Sequence, residues 1–62
     1  MRLKDFMFVA VYDPYLVGVE KDGVTLEEFS SSNKEKFKTY ENCIVSAIFV
    51  LDECTLAVTI IK

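Results

Sequence analysis

Histidine is missing from these 62 residues. That removes the commonest metal ligand and the side chain most often used as a general base near neutral pH. Only two cysteines occur, Cys43 and Cys54, and two thiolates do not complete a Cys-only structural zinc site. Glycine is equally scarce, with two residues; there is no Gly-rich phosphate loop, no catalytic triad and no paired-carboxylate motif. Seven basic residues stand against ten acidic ones, for a net charge of -3 and a pI of about 4.7. A mildly acidic chain without a Lys/Arg cluster is a poor general nucleic-acid binder. No apolar run is long enough for a membrane span. The N-terminus has two positive charges followed by apolar residues, but Asp5 interrupts the pattern and the run is short for a signal peptide. The expectation is a cytoplasmic protein that is not an enzyme, with no cofactor, no metal, and no nucleic-acid or membrane partner.

Hydrophobic residues are plentiful, at 52% of the chain. Two β-branched, apolar segments at the C-terminus flank the acidic pair Asp52-Glu53, which is the pattern of a β-hairpin over residues 44–51 and 55–61. A two-residue loop there sets Leu51 opposite Cys54, Phe49 opposite Leu56, Ala47 opposite Val58 and Val45 opposite Ile60. Alternation then gives one apolar face from these side chains. The other face carries Ile44, Ile48, Val50 and Ile61 among Ser and Thr, too apolar to leave wet. Asp-Glu is poor chemistry for a type I′ turn, so a longer, four-residue turn stays open as an alternative.

Upstream, Leu3, Phe6, Met7, Ala10 and Val11 share one face of a helix. A strand over residues 6–12 is the competing reading, and Asp13-Pro14 ends either element. Residues 15–20 alternate, with Tyr15, Val17 and Val19 on one side. Lys21-Asp22-Gly23 reads as a turn, and residues 24–29 return as a second strand. The polar run Ser30-Ser31-Ser32-Asn33 is a loop and a source of helix N-caps. A helix of about two turns follows over residues 33–40, with Phe37 and Tyr40 on its inner side. The fold expected is a single small α+β domain, residues 1–62. It has a small antiparallel sheet of two hairpins, an N-terminal helix, and a short helix between the hairpins.

Side chains that carry chemistry have simple structural readings. Cys54 follows two acids, which work against a reactive thiolate; both cysteines read as small apolar groups at strand ends, too far apart for a disulfide. From Asp13 to Ser32 there are five acids (Asp13, Glu20, Asp22, Glu27, Glu28) against Lys21 alone, but no loop carries the oxygen ligands of a hard-cation site. Lys34, Lys36 and Lys38 alternate with Glu35 and read as a solvated helix face. Tyr12, Tyr15 and Tyr40 are interface candidates, because tyrosine buries area while keeping a polar tip.

The layout, from Leu3-Lys4-Asp5-Phe6 through Asp22-Gly23 and a helix ending near Tyr40 to the closing Leu56-x-Val58-x-Ile60, resembles that of small uncharacterised proteins encoded by phages and prophages of Gram-positive bacteria. The resemblance implies the cytoplasm of a bacterial host cell and no particular site residue. A chain this short is marginal alone, and an apolar sheet face needs a cover. The expected function is therefore a non-enzymatic accessory or protein-protein interaction module acting as a homodimer. Tyr12, Tyr15, Tyr40, Ile44, Ile48, Val50 and Ile61 are the interface candidates. The alternative is a phage-encoded inhibitor that binds a host defence or regulatory protein.

Overall fold

The computed structural model describes residues 1–6, 14–53 and 55–62. The expectations placed on Tyr12, Asp13 and Cys54, and the choice of helix or strand for residues 7–11, lie outside the described residues. The chain is α+β, as expected: a short N-terminal helix, two hairpins, and a short helix between them. The elements are α1 (Leu3–Phe6), β1 (Leu16–Lys21), β2 (Val24–Ser30), α2 (Lys34–Tyr40), β3 (Ile44–Val50) and β4 (Leu56–Ile61). The strands form one sheet in the order β2-β1-β4-β3.

Each hairpin is antiparallel, but the two join through β1 and β4, which run parallel, so the sheet is mixed. β1 and β4 carry Val17, Val19, Leu56, Val58 and Ile60 at alternate positions, and all five are buried. The two strands with the most buried side chains thus take the centre, where both edges are paired. The Lys62 N–H donates to the Glu20 carbonyl at 2.9 Å, extending that seam to the chain end.

Local chemistry accounts for the connections. Asp22 and Gly23 have φ of 54° and 79°, the left-handed pair that a tight two-residue hairpin turn needs and that Asp-Gly supplies. Asn33 caps α2, its Oδ1 accepting from the Lys36 N–H at 3.2 Å. Ser31 is buried and ties the ends of the first hairpin together. Its Oγ accepts from the Tyr15 N–H at 2.9 Å, and its own N–H donates to the Tyr15 carbonyl at 2.8 Å.

The core lies on one side of the sheet. Leu3 and Phe6 of α1 and Phe37 and Tyr40 of α2 join the five central strand residues, with Tyr15 and Phe29. Phe6 meets Tyr15 edge-on, with ring centroids 5.1 Å apart, and Phe29 stacks on Tyr40 at 5.8 Å. The N-terminal residues are pinned beside β3: Leu3 N–H donates to Cys43, Lys4 N–H to Glu41, and Val45 N–H to the Met1 carbonyl.

The second hairpin corrects the expected register. Val45 pairs with Ile60 as expected, but Phe49 lies opposite Ala57, and Leu56 faces Val50. The cause is the loop. Leu51 N–H donates to the Thr55 carbonyl at 2.9 Å, so residues 51–55 form the connection and Asp52-Glu53 is not a two-residue turn. The slip moves Phe49 to the opposite face, because side chains alternate with period two. A β-bulge at Ser46 absorbs the extra residue and restores the register at Val45.

Candidate interaction surface

Residues paired across neighbouring strands share a face. The face away from the helices therefore carries Leu16, Gly18 and Glu20 of β1, Ala57, Thr59 and Ile61 of β4, and Ile44, Ala47 and Phe49 of β3. β2 adds Glu28 and Ser30, the partners of Gly18 and Leu16. The small residues at the centre leave a shallow depression of about 230 Å³, lined by Leu16, Gly18, Glu28, Leu51, Ala57 and Thr59 among others.

Among the described residues, the second hairpin holds most of the large exposed hydrophobic side chains. Ile44, Ile48 and Ile61 are each 50% exposed, Phe49 52%, Leu51 59% and Val50 67%. The bulge divides the four aliphatic interface candidates. Ile44 and Ile61 pair with each other on the open face, while Ile48 and Val50 face the helix side, opposite Val58 and Leu56. The sequence places all four on one face, since alternation carries no mark of a bulge. The tyrosines sit elsewhere: Tyr15 and Tyr40 are both buried in the core, and Tyr12 is outside the described residues. A two-residue loop places Phe49 and Leu51 on the core face; with the observed register they are exposed.

The outer edge of β3 has a defined polarity. Because Leu51 directs its N–H toward β4, the amide groups of Val50 and Ile48 point the other way. Met1 and Arg2 pair with the start of this edge, at Ile44 and Val45. From Ser46 onward no strand pairs with it among the described residues.

A polar cluster on the other side of the molecule was also missed. Glu27 of β2 accepts from the Lys36 ammonium at 2.8 Å and from the Tyr40 hydroxyl at 2.5 Å. Lys36 and Tyr40 together hold the Glu27 carboxyl below its ordinary range, and Glu27 raises both the Lys36 ammonium and the Tyr40 hydroxyl. Lys36, read from sequence as mere solvation, is a clamp between α2 and β2. The i, i+4 spacing of Lys36 and Tyr40 on one helix face was the available signal, but their shared partner on β2 was not.

Cys43 is half-buried against the core. Among the described residues, no group of three or more Cys, Asp or Glu side chains is placed to hold a metal ion. No helix among the described residues is long and apolar enough to cross a membrane. No protein-family model matches this chain, and neither a curated protein nor a solved structure matches it.

Proposed function

We propose that this chain is a non-enzymatic accessory protein that works by protein-protein interaction as a homodimer, of the phage type its layout resembles, in the cytoplasm of a bacterial host. The supporting observation is the second hairpin, where Ile44, Ile48, Phe49, Val50, Leu51 and Ile61 stand half or more exposed. Clustered exposed apolar side chains mark interaction surfaces, and a symmetric dimer is the commonest way to cover one. The chain is also small enough that added burial matters to its stability.

Sedimentation equilibrium across the micromolar range tests the reading. The expected mass is twice the 7.1 kDa of one chain. A monomer throughout that range rejects the homodimer. It shifts the interpretation to the runner-up, an inhibitor that keeps this surface free for a host defence or regulatory protein.

A further inference from the structure

The two edge strands of the sheet, β2 and β3 beyond Val45, pair with no further strand among the described residues, and they differ in a way that selects how a second copy would dock. Residues 46–51 of the β3 side read Ser-Ala-Ile-Phe-Val-Leu, with no charge, proline or glycine. Exposed sheet edges are ordinarily guarded by charges, proline or bulges that block another strand. Here the one bulge lies at Ser46, at the start of this stretch, and leaves the rest regular.

We infer that β3 pairs antiparallel with β3 of a second copy, joining two sheets into one of eight strands. This rests on the homodimer reading above and specifies its geometry. The outward amides of Ile48 and Val50 are the hydrogen-bonding groups this seam uses. A two-fold axis at Phe49 lets Ile48 of one protomer exchange both hydrogen bonds with Val50 of its partner, and the reverse, giving four bonds. Phe49 then faces its own copy as a non-hydrogen-bonded pair, the closer of the two antiparallel pair types. Leu51 meets Ala47 of the other protomer on the same face. On the helix side, Ile48 meets Val50. Every cross-seam pair is apolar.

Charge favours this seam over stacking of the open faces. Glu20 and Glu28 lie on the open face, so stacking would bring carboxylates of both copies toward one interface. Edge pairing instead leaves the acidic β2 strands at the two far ends. At about 4.8 Å per strand they are on the order of 30 Å apart, well beyond the roughly 8 Å over which exposed charges act in physiological salt.

Cysteine cross-linking reads the register directly. In a Cys43→Ser, Cys54→Ser background, Phe49→Cys should form a disulfide-linked dimer rapidly under mild oxidation. A non-hydrogen-bonded pair places the Cα atoms about 4.5 Å apart, inside the roughly 4.4–6.8 Å that a disulfide spans. Leu51→Cys should not cross-link to itself, because its mate is Ala47. In the otherwise natural chain, Val50→Lys should abolish the dimer while circular dichroism stays native, since that side chain is exposed in one protomer. This second variant keeps the test valid if the cysteine-free background folds poorly. A dimer that survives Val50→Lys, or in which Leu51→Cys cross-links as fast as Phe49→Cys, overturns the edge seam and leaves the homodimer standing. A natural chain that stays monomeric overturns both.

Discussion

β2 and β3 are the same length and occupy the two edges of one sheet, yet they are finished differently. β2 carries Glu27 and Glu28, is bulged at Leu26, and is held inward by Phe29 and by the Glu27 contacts to α2. Its exposed Val24 and Leu26 sit beside those carboxylates and that bulge. β3 carries no charge, and none of its residues is fully buried; Val45 alone is packed against the core as a partly covered side chain. Charges and bulges are the devices by which natural edges refuse a further strand. One edge has both, and the other has a bulge only at its beginning. The contrast separates an edge guarded by charge from an edge that carries none.

The same substitution made on each strand should break that comparison if it is wrong. Phe29→Ala removes a buried ring stacked on Tyr40 and should cost about 3–5 kcal/mol, enough to unfold most of the protein. Phe49→Ala, measured by urea unfolding at a dilution where the chain is monomeric, should fall within about 0.5 kcal/mol of the natural chain, as exposed positions do. Equal costs at the two positions would mean that Phe49 belongs to the core of a single protomer.

A smaller effect is expected at the junction where β2 ends. Ser31→Ala leaves the buried Tyr15 N–H without its side-chain acceptor, a loss of about 1–3 kcal/mol. Ser32→Ala, one residue on and exposed, should stay within about 0.5 kcal/mol. Thermal or urea melts of the two variants side by side decide it. If Ser32 costs as much as Ser31, the closure of the first hairpin does not depend on that one hydroxyl.

The first hairpin was readable because its turn is local chemistry. Asp22-Gly23 announces a two-residue turn, and the turn fixes the register of Val17 and Val19. Asn33 announces a helix start in the same way. The second hairpin has the stronger apolar pattern but no turn signal, and Asp52-Glu53 does not specify a loop length. One residue of error moved Phe49 across the sheet. The parallel β1-β4 seam lay out of reach for another reason. It joins residues about forty positions apart, and nothing in either strand names its partner. The Glu27, Lys36 and Tyr40 cluster shares that limit. Burial of Tyr15 and Tyr40 was equally hidden, since a tyrosine suits a core and an interface alike.

Gly18 sharpens the comparison from the middle of the sheet. It lies between Glu28 of β2 and Thr59 of β4, and a Cβ added there meets nothing within 4 Å. Gly18→Ala should therefore raise stability by about 0.5–1 kcal/mol, the usual gain on replacing an interior strand glycine. It should leave the oligomeric state unchanged if the seam is at β3. A dimer weakened by this one methyl group in sedimentation would instead place the contact on the open face.

The smallest expected effect is a pH dependence confined to the guarded edge. Glu27 holds its proton less tightly in the fold than its ordinary value of 4.5, because Lys36 and Tyr40 both donate to the carboxylate. A depressed carboxyl contributes stability in full above its unfolded pKa and loses it as pH falls through the folded one. Tyr40 and Lys36 are raised above their ordinary 10.0 and 10.5, so their share is present below those values and fades as pH climbs past them. The result is a plateau from about pH 5 to 9, with an acid limb and an alkaline limb. The Lys36 and Glu27 side chains are 47% and 30% exposed, so screening keeps the effect small. Glu27→Gln removes the charge that both donors share and should flatten both limbs in urea unfolding across pH. Tyr40→Phe should reduce the acid limb only in part, since Lys36 remains. β3 has no titratable side chain, so Val50→Lys monomers should keep the acid limb unaltered. An acid limb that disappears with the dimer would assign the pH dependence to the seam and not to the β2-α2 clamp.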